Sequence, residues 1–151
     1  MTAKEFLERP GELKKLLDQA RQRAAALKSF TEKVTTRMGV EAVPVTHTRN
    51  NAAMQDDIIR LMEAEAEVER LEAELDEAEM EVERVLAMIP DKLMHDFMVN
   101  RYLRYMTTAI AATVTGPYAI SWGRKMSRAG RRFVQAVLDQ GYQGDGSSGT
   151  L

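Results

Sequence analysis

AAMQDDIIRLMEAEAEVERLEAELDEAEMEVERVLAMI, residues Ala52 to Ile89, repeats its apolar positions every seven residues. Met54, Leu61, Val68, Leu75, Val82 and Ile89 occupy one position of the repeat, and Ala64, Leu71, Ala78 and Val85 lie three residues after it. Apolar residues at that spacing form a coiled-coil seam. At 1.5 Å per residue such a helix spans about 57 Å, longer than a compact domain of this size requires. It therefore needs a partner along its length.

The nearest partner lies on the N-terminal side. Thr2 stands three residues before Glu5, which predicts a capping box and a short first helix. Pro10-Gly11 is expected to interrupt it, because proline has no N–H to donate. From Glu12 the residues Leu13, Leu16, Leu17, Ala20, Ala24, Leu27, Phe30 and Val34 recur at three- and four-residue intervals, predicting an amphipathic helix to about Arg37. Residues 38–51, MGVEAVPVTHTRNN, mix Gly39, Pro44 and β-branched residues and are expected to form a loop, with Asn50 or Asn51 capping the next helix and Asp56 and Asp57 near its positive end.

Charge is divided along the chain although the net charge is only -2. Residues 1–37 carry 9 basic and 5 acidic side chains, 52–89 carry 3 and 13, and 90–140 carry 8 and 3. The opposite balances of the first two segments favour an antiparallel hairpin. A coiled coil between two chains through the same seam is the alternative, and the heptads allow both.

Pro90-Asp91 ends the seam, and Asp91 is placed to cap a helix from Lys92 to Tyr105. A short helix Thr107 to Val114, the turn TGP and a last helix from Pro117 to Asp139 follow. Three short helices with a glycine turn before the last are the layout of a helix-turn-helix. The fold class expected is all-α: a long antiparallel coiled-coil hairpin over 1–89, a helix-turn-helix over 90–140, and a Gly/Ser-rich disordered tail over 141–151.

On the last helix, Trp122, Met126, Ala129, Phe133 and Val137 share one sector and are expected to pack. Tyr118, Ser121, Lys125, Arg128 and Arg132 share another, with Arg124 and Arg131 beside it. The major groove of double-stranded DNA admits an α-helix, and Arg or Lys there meets phosphates or the O6 and N7 of guanine. These seven residues are the candidate DNA-binding set. A charged face is also what a merely solvated helix shows, but this one has no acid before Asp139 and follows a turn.

The segment RYLRYM, then TTAIAATV, a glycine turn and a helix ending GRKMSRAGRRF resembles the helix-turn-helix of sigma-factor region four. It is most similar to phage-encoded late-transcription regulators of the RinA and ArpU types, through Arg101-Tyr102-Leu103, Ile110-Ala111 and Arg128-Ala129. The interval from RYL to Ile110 is one residue shorter than that pattern, and the turn TGPY one residue longer. The opening AKEFL, the long helix, the loop and the acid-rich helix ending at IPD extend the likeness over nearly the whole chain. The resemblance implies a phage or prophage transcriptional regulator acting on late genes, with double-stranded DNA and RNA polymerase as partners, as a homo-oligomer with a dimer favoured. Two other functions fit the residues: a small terminase subunit, and a protein-interaction module using the acidic helix.

Other chemistry is excluded or lacks its groups. With 0 Cys there is no thiolate nucleophile or Cys-held metal. His47 and His95 are far apart, and His95 beside Asp96 has no nucleophile in reach of the sequence pattern. The carboxylates between Glu63 and Glu83 point outward from an apolar seam, as a solvated or paired face. Methionines at helical spacing, among them Met54, Met94, Met98 and Met126, read as core filling. No phosphate loop, nucleophile elbow or paired-acid motif occurs. The expectation is a protein that is not an enzyme and holds no cofactor or metal. No apolar run reaches the roughly 20 residues of a membrane span, so a cytoplasmic protein is expected, and the resemblance to phage regulators implies a bacterial host cell.

Overall fold

Thr2 Oγ1 accepts from the Glu5 N–H at 3.2 Å and opens the first helix, as the capping box predicts. The computed structural model describes residues 1–40 and 47–141, without side-chain detail for 34–40 and 47–51. The expected tail from 142 onward lies outside the described residues. All regular structure among the described residues is helical, giving an all-α chain: α1 (Ala3–Val40), α2 (His47–Leu86), α3 (Lys92–Met98) continued by a π-helical turn (Val99–Leu103), α4 (Thr108–Thr115) and α5 (Ile120–Asp139). No described helix is long and apolar enough to cross a membrane.

Pro10 does not break α1, contrary to the sequence expectation; it lies inside a continuous helix. Its missing donor costs about 3 kcal/mol or more. Against that, Phe6, Leu7 and Leu13 are buried on the same side, and Pro10 is fully buried with them. Each large apolar side chain contributes about 1.5–3 kcal/mol on burial, so packing prevails.

Helix occupies both ends of the expected loop 38–51, and its centre, 41–46, lies outside the described residues. The first helix continues to Val40 and the second begins at His47, so Asn50 and Asn51 lie within α2 and Asp56 and Asp57 are in its third turn. Asparagine disfavours a helix interior by less than about 1 kcal/mol, and adding residues to a helix already nucleated is easy. At the other end α2 stops at Leu86, before Ile89. Tight bonds from Met88 N–H to Val85 O and Ile89 N–H to Leu86 O follow, because the residue before a proline avoids the helical region.

By contacts the chain forms two compact units, Met1–Leu13 with everything from Leu75 onward, and Lys14–Glu74. The sequence places its boundary at 89–90, whereas the first thirteen residues and the end of α2 group with the C-terminal helices. In the Lys14–Glu74 unit, Leu17 and Ala20 of α1 and Ala64 and Leu71 of α2 are buried. Arg21 of α1 pairs with Glu72 of α2 at 3.3 Å. The seam positions Met54, Leu61 and Val68 are partly buried.

In the other unit one apolar core joins Ala3, Phe6 and Leu7 to Val82, Val85, Leu86 and Ile89, and both groups to Phe97, Met98, Tyr102, Ala111, Ala112 and Val134. Asp91 caps α3, accepting from Leu93 N–H at 3.0 Å and Met94 N–H at 3.4 Å. The helix expected to reach Tyr105 changes character first. Arg104 N–H bonds Val99 O at 3.0 Å across a widened turn, and Tyr105 takes a left-handed φ of 59°. This turn buries both Asn100 and Tyr102. Burial of Asn100 is satisfied by its Nδ2 donating to Thr115 Oγ1 at 3.1 Å.

Candidate nucleic-acid interface

Thr107 caps α4 by accepting from Ile110 N–H at 3.3 Å, and Arg101 ties the approach to it. Its Nε donates to Thr108 Oγ1 and its Nη1 to Met106 O, both at 3.3 Å, while its guanidinium lies 4.9 Å from the Tyr102 ring centroid. Of the other landmarks, Ala111 is fully buried and Ile110 exposed. These residues hold α4 as a shelf for α5.

Where α5 crosses that shelf the deepest residues are Gly123, Ser127, Gly130 and Val134. A Cβ on Gly123 would sit 3.2 Å from both Ala112 Cβ and Thr108 O. A Cβ on Gly130 would sit 2.5 Å from Met98 Sδ. The backbone of α5 thus packs closely on Thr108 and Ala112 of α4 and on the Met98 side chain of α3 at these two points. The expected packing sector is therefore displaced: Trp122, Met126, Phe133 and Val137 are partly buried against the core, about a quarter-turn from the deepest line at 100° per residue. Residue hydrophobicity does not register glycine as a packing residue. The spacing of small residues at 123, 127 and 130, which places them on one face, is the signal that would have found it.

The seven candidate residues separate into three groups. Ser121, Arg124, Lys125, Arg128 and Arg132 are exposed on α5. Ser121, Lys125, Arg128 and Arg132 lie opposite the glycine line, and Arg124 lies on the flank. Arg131 is partly buried, and its Nε donates back to Ser127 O at 3.3 Å, so its guanidinium is held against its own helix. Tyr118 is not on α5 at all. The helix starts at Ile120, not Pro117, after an extended Ala119. The Tyr118 ring stacks on Trp122 at 4.1 Å between centroids and 23° between planes. Ahead of the helix, Tyr118 N–H bonds Gly116 O at 2.7 Å. Trp122 in turn meets Phe97 edge-on at 5.6 Å, the core contact its sector implies.

Among the described residues no group of three or more His, Asp or Glu side chains is arranged to hold a metal ion. His95 Nδ1 lies 3.2 Å from Asp96 Oδ1. The exposed side of α5 is thus cationic over three turns, with Asp139 as its acid, on a helix whose other side packs closely on α3 and α4. No protein-family model, curated protein or solved structure matches this chain.

Proposed function

We propose that this chain is a DNA-binding transcriptional regulator of phage or prophage type, in which α4, the 116–119 turn and α5 act as a helix-turn-helix. The observation that carries the reading is the display of Ser121, Lys125, Arg128 and Arg132 on the face of α5 opposite Gly123, Ser127, Gly130 and Val134, with Arg124 exposed beside them. A helix held rigidly by its back can enter the major groove with its orientation set before binding, so phosphate contacts position it and base contacts select the site. Burial of seam residues within one chain, with the Arg21–Glu72 pair, supports an intramolecular hairpin for α1 and α2. The resemblance to late-transcription regulators extends the proposal to a promoter shared with RNA polymerase.

The test is selection of sites from a pool of random duplexes by the full chain, followed by titration of the enriched duplex at several salt concentrations. The expected result is a defined site and an affinity that falls linearly with log salt. Arg128→Ala is expected to weaken binding by about 1–3 kcal/mol and relax one base position if it reads a base, or to weaken all sequences alike and reduce the salt slope by about one if it holds a phosphate. Glu65→Ala, on an exposed face of α2, is the control. No enrichment, and unchanged binding in Arg124→Ala, Lys125→Ala and Arg128→Ala, would remove DNA from the reading. A ring of many subunits on the DNA would favour a packaging role over regulation.

A further inference from the structure

Within α5 there is one carboxamide, Gln135, and one carboxylate, Asp139, and they are bonded to each other. Gln135 Nε2 donates to Asp139 Oδ1 at 3.0 Å. The other end of the amide is engaged as well, its Oε1 accepting from the Ala3 N–H at 2.8 Å. Gln135 is therefore fixed between the start of α1 and the end of α5, and Asp139 is the last residue of the helix. Gln140, the next carboxamide, lies past the helix end.

With those two groups occupied, the exposed face of α5 presents donors. Arg124, Lys125, Arg128 and Arg132 carry N–H groups and no acceptor. The hydroxyl of Ser121, and that of Tyr118 ahead of the helix, both donates and accepts and so selects no base. In the major groove guanine offers two acceptors, N7 and O6, whereas adenine sets its N6 donor beside N7 and cytosine offers the N4 donor. A side chain with donors alone satisfies both groups of guanine, but meets a donor at adenine N6 and at cytosine N4. The matching partner of adenine is a carboxamide and that of cytosine a carboxylate. On this helix those two groups hold each other.

We infer that α5 reads guanine: its direct base contacts fall on guanine N7 and O6, are made by Arg124, Lys125 and Arg128, and include neither adenine nor cytosine. The inference rests on the DNA reading above and narrows it to duplexes with clustered guanines. Base edges are met by the N-terminal part of a recognition helix, which selects these three residues and leaves Arg132, one turn further on, for phosphate. Arg131 is held back on Ser127 O. From Arg124 to Arg128 the helix rises about 6 Å, less than two base-pair steps of about 3.4 Å. The guanines are therefore expected within about three base pairs of one another.

The test changes single atoms of the DNA. The duplex selected by the full chain from a random pool is resynthesised with 7-deazaguanine at one guanine at a time, and with 7-deazaadenine at one adenine at a time. Each analogue removes the N7 acceptor and keeps the base pair. Affinity is expected to fall about fivefold or more at no fewer than two clustered guanines, and at no adenine. Each responding guanine is expected to become indifferent in one of Arg124→Ala, Lys125→Ala and Arg128→Ala, with circular dichroism showing that the variant is folded. Fewer than two responding guanines, or an adenine that responds as strongly, would overturn the inference and leave the DNA reading standing. Guanines that still respond in all three variants would place the reader off α5 and overturn it too. No enriched duplex would remove the DNA reading and this inference with it.

Discussion

The backbone N–H of Ala3 donates to Gln135 Oε1 at 2.8 Å, joining the first turn of α1 to α5 across 132 positions of sequence. A helix N-terminus has N–H groups with no partner in the helix, and here α5 supplies one. Phe6 and Leu7 then enter the same core as Phe97, Met98 and Val134. The start of the chain is therefore a structural part of the unit that carries the cationic helix.

From this it follows that residues 90–141 expressed alone lack the cover of Phe6, Leu7, Val82, Val85 and Leu86. The fragment is expected to lose the cooperative urea transition of the full chain. Within the full chain, Leu7→Ala is expected to cost about 2–5 kcal/mol, the range for a large aliphatic core residue, and Gln135→Ala about 1 kcal/mol. A fragment as stable as the parent would contradict the shared core.

Alanine is normally the better helix former by about 1 kcal/mol, yet Gly123→Ala is expected to destabilise by about 1–3 kcal/mol through overpacking. Its methyl would press on the Thr108 carbonyl and Ala112 Cβ at 3.2 Å, and backbone cannot swing aside. Gly130→Ala presses on Met98, a fully buried but flexible side chain. Combining it with Met98→Ala should therefore cost less than the sum of the two, which a double-mutant cycle by urea denaturation measures.

Tyr105 reports on the joint between the loop before α4 and the helices beneath it. Its ring lies 3.9 Å from where a Cβ on Gly11 would sit. Burial, together with the Glu79 carboxylate, pushes its phenol from 10.0 up to about 12. Between those values the unfolded chain releases this proton and the folded chain keeps it, so the contribution is present below pH 10 and is lost as pH rises towards 12. Stability measured by denaturation from pH 9 upward, at roughly half-unit steps, should fall more steeply in the parent than in Tyr105→Phe. Parallel curves would show that the phenol is not held in this way.

Of the seven basic-face candidates, Arg131 is expected to matter least among the arginines for DNA. Its guanidinium is turned back on Ser127 O, whereas Arg128 is exposed. Arg131→Ala is expected to change affinity by no more than about 0.5 kcal/mol, the usual scale for a side chain outside the contact, against about 1–3 for Arg128→Ala. Equal losses in a titration of the selected duplex would show that Arg131 swings out on binding.

Local chemistry in the sequence determined the helical class, the seam of α2 and the caps at Thr2 and Asp91, because each depends on residues within one or two turns of one another. It also determined which α5 residues carry charge. What only the tertiary structure decided are features set by distant partners. Burial beside Phe6 and Leu7 carries α1 through Pro10, and α5 begins only at Ile120, so that Tyr118 lies outside it. The rotation of α5 is set by the approach of Thr108, Ala112 and Met98 to Gly123 and Gly130. A glycine has no side chain whose hydrophobicity could announce a buried face. Its role appears only when the backbone across from it is in place, and that contact fixes which way Lys125, Arg128 and Arg132 point.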